Sequence, residues 1–591
     1  DWHTNFRSLN NAFVEWNIIK GLKFKSSFGI DIDYATNKSY NPRSVYSGSQ
    51  KNGEAKKISN NTYTWINENI LTYTNTWGVH SFTGMVGYTQ QQSAYDGFNA
   101  GSYGFLNDNL QMNNLGSGTT YTAPGSEVKK WALNSYLARV NYTVNNKYLL
   151  TASIRADGSS RFGSDNRWGY FPSAALAWRA SEESFIKDLN IFSNLKPRVS
   201  FGITGNQDGI GTYPAYALLG SNGYVAGGDK VTGYYPSQVA NTNLKWETTA
   251  QFDAGIDFGF FNNRLTVVID GYYKKTRDLL LKVKVPGSSG FSSGLKNIGE
   301  VENKGFELAI NATPIEGDFT WNTSLNLTYN KNKVLDLGDV SFIYPSQPGQ
   351  DETGIHLGRI IQVGQPLGTF YGYVYDGLFS TTDDIASSAQ PTAKPGDIRY
   401  KDISGPDGVP DGVINDLDRT IIGCAQPKLF GGFNNTFSYK NFDLNVNTIF
   451  TIGNDVYNGT RVTMANMQGS TNMFASTMNY WTPDNQNAPL PRPLRSKAVM
   501  RVSNQYVENG SYLRFQNITL GYNVPTEFLS FTKYVSGLRV YASLQNFITI
   551  TSYSGDNPEV SKYGQDNLGA GYDAFSYPFA KSVLFGLNVK F

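Results

Sequence analysis

The chain has 591 residues and a formal net charge of +2, with no blocks of basic residues, which excludes the charged surface expected of a nucleic-acid-binding protein. Cys424 is the only cysteine, so an intrachain disulfide is excluded. His3, His80 and His356 are too few and too scattered to predict a histidine metal site or a catalytic base. The abundance of Gly (60), Tyr (38) and Phe (36) favours strands, turns and the aromatic girdles of membrane barrels over helices.

The first regular pattern is a hairpin made of residues 12–18 and 22–34, joined by a short turn that ends in Gly21. Successive side chains of a strand point to opposite faces, so the second segment has one apolar face and one face that carries charged residues. The apolar face consists of Leu22, Phe24, Phe28, Ile30, Ile32 and Tyr34.

This hairpin unit recurs along the chain, and seventeen strands are predicted in all. Short turns alternate with long connections, such as residues 35–62 and 91–135, and the longest loops are residues 331–426 and 453–511. Loops of this length argue against a compact soluble domain, whereas short turns at one end and long loops at the other are typical of an outer-membrane barrel. The predicted strands are residues 12–18, 22–34, 63–73, 80–90, 136–144, 148–156, 168–178, 195–204, 246–258, 265–274, 304–313, 319–330, 427–439, 442–452, 512–524, 538–549 and 581–591.

Two strands carry additional information. In residues 512–524 the alternation changes parity near Gln516, which predicts a β-bulge. In residues 581–591 one parity is wholly apolar from Val583 to Phe591, while the other is mostly polar. In a soluble sandwich the apolar face would meet a second sheet, but in an outer-membrane barrel it meets lipid and the polar face lines the lumen.

The sequence therefore predicts an all-β protein, a transmembrane antiparallel β-barrel portion that occupies residues 1–591. If Phe591 ends on the periplasmic side, every short turn lies there and residues 1–11 belong to an extracellular loop. An odd number of strands does not close in the usual even bacterial pattern, so the chain is predicted to be the carboxyl-terminal part of a larger barrel.

Five stretches, taken in this order, resemble the SusC/RagA family of TonB-dependent transporters. They are NKYLLTASIRADGSSRFG (146–163), WGYFPS (168–173), NIGEVENKGFEL (297–308), LRVYASLQNF (538–547) and YSGDNPE (553–559). The resemblance implies a twenty-two-stranded barrel with an amino-terminal plug, of which this chain supplies about the last seventeen strands and not the plug. It also implies that the protein imports oligosaccharides, or peptides in some branches of the family. The implied partners are a SusD-like surface lipoprotein, which acts as a lid, and TonB, which acts through the plug. Two transporter–lipoprotein pairs are expected to form a dimer.

A loop within residues 331–426 carries the sharpest local motif. Without the five residues Pro406–Pro410, the segment reads Asp-x-Ser-x-Asp-Gly-x-Ile-Asn-x-x-Asp, close to an EF-hand calcium loop with oxygen ligands at alternate positions. Similar loops occur at this place in the family. An uninterrupted loop starting at Asp407 places Val409 where an oxygen is needed, and a turn that binds nothing is the third interpretation. The predicted calcium ligands are Asp402, Ser404, Asp411, Asn415 and Asp418.

Two further groups of residues are candidates for contact with a ligand. Aromatic loop residues can stack on sugar rings, but interfacial girdles and loop packing also require them. Charged residues of the predicted lumen face are interpreted as a salt-bridge network of the wall rather than as ligand contacts. The aromatic group is Tyr213, Tyr224, Tyr234, Tyr235, Tyr344, Tyr371 and Tyr373, and the charged group is Arg139, Arg155, Asp157 and Arg161.

The predicted function is energised import of oligosaccharides across the outer membrane, without enzymatic activity and with no cofactor other than the calcium ion. The alternative within the fold is an importer of peptides, siderophores or cobalamin. The alternative from another class is a secreted all-β adhesin. A surface glycosidase is not favoured, because no carboxylate pairing, His-Glu-x-x-His or P-loop pattern marks a catalytic site.

Overall fold

The computed structural model describes residues 1–291, 293–345, 358–469, 472–495, 501–529, 534–564, 566 and 568–591. His356 lies outside the described residues. Within these described ranges seventeen strands belong to one sheet, which agrees with the predicted all-β class and strand number. The strands are β1 (Trp2–Ile19), β2 (Leu22–Asn41), β3 (Glu54–Trp77), β4 (His80–Phe105), β5 (Gly118–Val144), β6 (Tyr148–Ser159), β7 (Trp168–Trp178), β8 (Phe192–Asn206), β9 (Glu247–Phe260), β10 (Leu265–Arg277), β11 (Glu300–Ile315), β12 (Phe319–Asp336), β13 (Leu429–Tyr439), β14 (Phe442–Ile452), β15 (Tyr512–Val524), β16 (Gly537–Thr551) and β17 (Ser582–Lys590).

The chain divides into two compact units. The first consists of residues 1–179, 198–252 and 276–298, and in it strands β1 to β7 pair antiparallel in sequence order. The second consists of residues 180–197, 253–275 and 299–591, and in it strands β11 to β17 pair in the same way. In both units each strand is therefore followed by its antiparallel neighbour, as in a meander.

The amino-terminal strands are longer than predicted. Trp2 pairs with Lys38, so residues 2–11 extend β1, and the prediction that residues 1–11 form a loop is wrong for them. Likewise β2 and β3 pair as far as Asn41 and Glu54, so the predicted loop 35–62 shrinks to residues 42–53. The apolar alternation marks only the part of a strand that needs an apolar face, whereas backbone pairing continues through polar residues beyond it.

Short turns join β1 to β2 and β5 to β6. The backbone dihedral angles of these turns explain why glycine and asparagine occupy them. Gly21 adopts a φ of +82°, and a Cβ at this position would lie 2.3 Å from the carbonyl oxygen of Thr74. Asn145 and Asn146 take φ values of 53° and 55° in the β5–β6 turn. Positive φ favours Gly and Asn, so the sequence signals for these turns have a direct steric origin.

The predicted bulge is confirmed. Thr448 of β14 pairs with Phe515 and Asn447 pairs with Asn517, so Gln516 has no partner in that ladder. The register between β15 and β16 also shifts between Phe515 and Asn517. The bulge restores the alternation, because without it the residues before and after Gln516 would exchange faces.

Among the described residues, many large side chains on the apolar face of the sheet remain exposed. In β17, Phe585 is 80% exposed and Leu587 is 65% exposed, although both are large apolar side chains. Buried clusters lie instead among the loop segments, for example around Phe370 and Tyr457 in the second unit and around Phe162 and Trp246 in the first. A sheet with a bare apolar face and a core in its loops is the arrangement expected when lipid supplies the missing contacts.

The loops contain short elements. No helix among the described residues is both long and apolar enough to cross a membrane. The short strands are Leu218–Ala226, Asp229–Gln238, Leu280–Lys284, Ser293–Asn297, Phe342–Ile343, Arg359–Gln362, Thr369–Gly372, Tyr375–Leu378, Ile398–Tyr400, Thr420–Cys424, Asp455–Asn458, Val507–Asn509 and Tyr572–Asp573. The α-helices are Tyr46–Ser49, Ser184–Lys187 and Gly459–Met464, and the 3₁₀ turns are Gln111–Asn113, Leu115–Ser117, Ser164–Asn166, Ala180–Glu182, Gly287–Ser289, Asp416–Asp418, Ala475–Met478, Asn504–Tyr506 and Thr526–Leu529.

Candidate functional sites

The predicted calcium ligands lie in the loop between β12 and β13. Four of them accept hydrogen bonds from backbone amides through their side-chain oxygens, namely Asp402, Asp411, Asn415 and Asp418, whereas Ser404 takes part through its backbone N–H. Asp418 is fully buried, and its carboxylate accepts hydrogen bonds from the backbone N–H groups of Ile403 (2.9 Å), Ser404 (3.2 Å) and Asn415 (2.8 Å). The side chain of Asn415 accepts from Leu417 N at 2.8 Å, so these residues form a capping box at the start of the 3₁₀ turn Asp416–Asp418. The loop is thus organised around one buried carboxylate.

The two remaining aspartates of the motif also touch the backbone. Asp402 accepts from Gly412 N through Oδ2 at 2.6 Å, and Asp411 accepts from Val413 N at 3.0 Å. The other oxygen of Asp402, Oδ1, is buried without a hydrogen-bond partner. Within the described ranges, no three His, Cys, Asp or Glu side chains are grouped closely enough to hold a metal ion. The calcium site stays a prediction, with Asp402 Oδ1 as the oxygen most in need of a partner.

Calcium is expected to bind the complete protein and to protect residues 402–418 from proteolysis. Asp402→Asn is expected to weaken this binding at least tenfold, because it removes a negative ligand. Asp407→Asn is the matched control, since Asp407 lies in the insertion and serves only the uninterrupted alternative loop. Calorimetric titration shows the binding directly, and absence of both heat and protection would contradict the prediction.

The same loop is expected to open in acid. Burial is the largest influence on the pKa of Asp418 and would raise it, but the backbone hydrogen bonds from Asn415, Ile403 and Ser404 together lower the pKa below its ordinary value of 3.8. A carboxyl with a lowered folded-state pKa stabilises the fold above the ordinary value, and this stability is lost as the pH falls through the folded pKa. Pepsin is therefore expected to cut the loop only below pH 3.8, whereas the Asp418→Asn protein is cut at about pH 5 as well.

The aromatic candidates separate into two groups. Tyr344 and Tyr371 enclose Arg419, whose guanidinium carbon lies 5.5 and 4.7 Å from their ring centroids. Arg501 lies in the same way 4.9 Å from the ring of Tyr373 and 5.6 Å from that of Tyr400. These residues pack the loop through cation–π contacts.

The remaining tyrosines of the group lie in the first unit. Tyr224, Tyr234 and Tyr235 are exposed on the hairpin formed by residues 218–226 and 229–238. The hydroxyl of Tyr213 accepts a hydrogen bond from Lys130 N at 3.0 Å. Of these aromatic residues, those of the second unit stabilise loops, and three of those in the first unit stand exposed on a hairpin.

The structure brings together only part of the charged group. Arg155 forms an ion pair with Asp157 at 2.7 Å and also donates to Ser135. Arg161 instead donates to the carbonyl of Gln207 at 3.1 Å and lies over the ring of Trp131. Arg139 is a residue of β5 opposite Ser153. A wall ion pair therefore exists, while Arg161 anchors the loop that follows β6.

The YSGDNPE stretch has a structural role that the sequence alone did not reveal. Asn557 and Glu559 bind the buried guanidinium of Arg514 at 2.9 and 2.7 Å. Tyr553 donates to Asp573 at 2.6 Å, and burial is the largest cause that raises the pKa of this tyrosine. The segment after β16 is thereby tied to the start of β15. The signal in the sequence was the motif itself, but only the fold shows its partners.

Two cavities of the second unit were also missed at the sequence level. One, of about 220 Å³, is lined by Asn263, Arg264, Asn311, Ala312, Thr313, Asn322, Thr323, Ser324, Asn434 and Thr436, next to the short turns. The other, of about 870 Å³, lies at the long-loop end of β12. No linear motif marks either cavity, because each is assembled from residues distant in sequence.

An antiparallel sheet with a bare apolar face, a polar opposite face and a packed loop region defines a transmembrane β-barrel of the bacterial outer membrane. A family model described as "TonB dependent receptor-like, beta-barrel" matches residues 1–547, and the chain belongs to this family. This is a family of receptors and transporters, not of enzymes.

Named relatives agree with this assignment. The chain is 37% identical to TonB-dependent receptor P3 of Formosa agariphila over 98% of its own length and 58% of that protein. It is 34% identical to TonB-dependent receptor SusC of Bacteroides thetaiotaomicron over 90% of its length and 52% of that protein. A solved structure of the RagAB peptide transporter superposes with a TM-score of 0.84 at 27% identity, covering 99% of this chain and 62% of that chain. The chain thus spans less than two thirds of the length of these relatives.

Proposed function

We propose that this chain forms the wall and external loops of a TonB-energised outer-membrane importer whose cargo is a neutral, hydroxyl-rich oligosaccharide. In this proposal a SusD-like lipoprotein closes over the long loops, and TonB acts through a plug held inside the barrel. Two such importer–lipoprotein pairs associate as a dimer. Membership of the family and the relative named SusC support this proposal at the level of the class.

The observation that carries the choice of cargo is a neutral hydrogen-bonding patch on the polar face of β13 to β16, which lies beside the Asp443–Arg539 ion pair of the same face. Asn445 of β14 donates to Asn434 at 3.0 Å and to Thr436 at 2.9 Å. On β15, Thr519 donates to Asn517 at 2.5 Å, and Ser543 of β16 donates to the same amide oxygen at 3.1 Å. Amides and hydroxyls offer donors and acceptors without charge, which matches the hydroxyl groups of a sugar.

The cavity of about 220 Å³ continues this surface towards the short turns. Asn322, Ser324 and Asn434 line it, and all three belong to the polar face of β12 and β13. Arg264 is the single charged residue in its lining, and it is hydrogen-bonded to the carbonyl of Thr313 at 3.1 Å. A cargo passing this point meets mainly amides and hydroxyls, so we infer that it is uncharged there.

A peptide is the second candidate cargo, because the structurally similar RagAB is a peptide transporter. The same amide side chains can pair with a peptide backbone, so the polar face alone favours both classes over a highly charged siderophore. The two proposals are distinguished by offering oligosaccharides and peptides separately and measuring which of them the transporter takes up.

The test measures uptake of labelled oligosaccharides and labelled peptides by cells that express the complete transporter with its lipoprotein partner. The double variant Asn322→Leu/Asn434→Leu is expected to lower oligosaccharide uptake roughly tenfold, since it removes polar contacts worth about 1.4 kcal/mol. Leu327→Val, on the apolar face of the same strand, is the control and is expected to leave uptake unchanged. Peptide uptake without oligosaccharide uptake would replace the proposal by its alternative, and unchanged uptake in the double variant would contradict it.

A further inference from the structure

The apolar face of β12 gives a direct measure of where the membrane ends. Phe319, Trp321, Leu325, Leu327 and Tyr329 share this face, with aromatic residues at both ends. From 319 to 329 are ten residue steps, or about 34 Å along a strand at about 3.4 Å per residue. At a strand tilt of about 40° this corresponds to about 26 Å across the membrane, close to the apolar band of outer-membrane barrels. Tyr329 therefore marks the upper boundary of the lipid hydrocarbon.

Beyond this boundary the apolar face becomes basic. Lys331 and Lys333 follow Tyr329 with the same parity, so they lie on the face that is apolar lower down the strand. Lys304 of β11 is the cross-strand partner of Lys331, and Glu302 is the partner of Lys333. Glu302 forms an ion pair with Lys304 at 3.2 Å. The level just outside the hydrocarbon thus carries more positive than negative charge.

A cavity of about 870 Å³ opens at this level. Its lining includes Tyr329, Lys331, Lys333 and Lys428, and within the described part of the chain none of these lysines is held in an ion pair. Uncharged polar side chains complete much of the wall. They are Asn330, Asn332, Gln365, Gln426 and Asn509.

One acidic residue, Asp455, also lines the cavity, and its carboxylate is already engaged. It accepts a hydrogen bond from Cys424 N at 2.9 Å. The positive charge of Lys428 lowers the pKa of Asp455, although burial has the larger effect and raises this pKa. The lining therefore contains three lysines against one carboxylate, an excess of two positive charges. Such a cavity attracts a multiply charged anion.

We propose that this cavity binds the phosphorylated headgroup of a lipid in the outer leaflet of the outer membrane. Lys331, Lys333 and Lys428 pair with the phosphate, and the amides of the lining bind the sugar or glycerol part of the headgroup. Tyr329 lies where the acyl chains begin. Phosphate is the shared chemistry of a lipid headgroup and of free inorganic phosphate, but the position at the edge of the hydrocarbon selects the lipid.

The test uses the complete protein, purified in detergent, stripped of lipid and titrated with lipopolysaccharide, dephosphorylated lipopolysaccharide and inorganic phosphate. Native mass spectrometry counts the bound lipid. The triple variant Lys331→Gln/Lys333→Gln/Lys428→Gln is expected to bind lipopolysaccharide at least tenfold more weakly than the parent protein. The dephosphorylated lipid is expected to bind both proteins equally weakly.

The matched control is Lys20→Gln/Lys187→Gln/Lys440→Gln, which removes the same charge from three residues that do not line the cavity, in the connections after β1, β7 and β13. It is expected to bind lipopolysaccharide like the parent. Equal binding by parent and cavity variant would overturn the proposal, and so would an equal loss in the control. Inorganic phosphate that displaces lipopolysaccharide at equal concentration would show a free-anion site and overturn the lipid assignment.

Discussion

Replacing Phe370 by alanine is expected to destabilise the loop core of the second unit by about 3–5 kcal/mol. Phe370 is fully buried, and its ring lies 6.1 Å from that of Tyr457 within a cluster that also contains Tyr506 and Tyr572. Truncation leaves a cavity among rings that are held by several separate loop segments. Because Phe370, Tyr457 and Tyr572 are each fixed on a paired short strand in a close-packed cluster, they cannot close the space by a small shift.

Hydrogen exchange of the complete protein in detergent measures this effect locally. The segments around residues 369–372 and 455–464 are expected to lose protection, while β11 to β17 keep theirs, because sheet pairing does not depend on the cluster. Phe185→Ala is the matched control, since Phe185 is 59% exposed. Equal protection in the Phe370→Ala and Phe185→Ala proteins would contradict the assignment of this cluster as a core.

Replacing Arg514 by alanine is expected to cost about 3 kcal/mol and to release the segment that follows β16. The guanidinium is almost fully buried, with 4% of the side chain exposed, and binds Glu559 at 2.7 Å, Asn557 at 2.9 Å and Thr549 at 3.1 Å. Truncation removes one of the two donors to the buried amide oxygen of Asn557, leaving only Glu559 N, and it also removes the stacking contact with Phe579.

Limited proteolysis measures this release: cleavage between residues 552 and 580 is expected to become faster in the Arg514→Ala protein. Arg514→Lys is expected to restore little, since an ammonium group cannot reach three acceptors with the planar geometry of a guanidinium. Lys187→Ala is the control, because the Lys187–Glu182 pair is exposed and such pairs contribute little. Unchanged proteolysis of the Arg514→Ala protein would show that the YSGDNPE segment is held by other contacts.

The barrel strands could be predicted because their signal is local. Alternation within β17 and the parity change at Gln516 each depend on a few consecutive residues, and both agree with the observed pairing. The turns could be predicted for the same reason, since Gly21, Asn145 and Asn146 adopt positive φ values, which glycine and asparagine tolerate better than other residues. Strand number followed from these local patterns alone.

The upper parts of the strands and the loop core could not be predicted in the same way. Residues 2–11 carry mixed polar and apolar side chains, and only the pairing with β2 shows that they continue a strand. The cluster around Phe370 joins loop segments more than 200 residues apart, such as those containing Phe370 and Tyr572. No periodicity within one segment specifies partners at that distance.

The candidate sites also depend on partners that are distant in sequence and that no local pattern specifies. The Asp402–Asp418 motif was visible, but the backbone amides that bind Asp418 come from the other end of the loop. Arg514 was not singled out, because a lone arginine in a strand has no sequence signature until its partners are known. Lys331 and Lys333 lie on β12 and Lys428 lies in the connection before β13, so the proximity of the three cavity lysines is a property of the fold.

The most direct test of the account is cysteine labelling along β17 in native outer membranes, with Cys424 first replaced by serine. Single cysteines at Val583, Phe585 and Leu587 are expected to resist a water-soluble thiol reagent, because lipid covers this face. Cysteines at Ser582, Asn588 and Lys590 are expected to react, because they face the aqueous lumen. Equal reactivity at both parities would show that the apolar face does not contact lipid, and would contradict the barrel account.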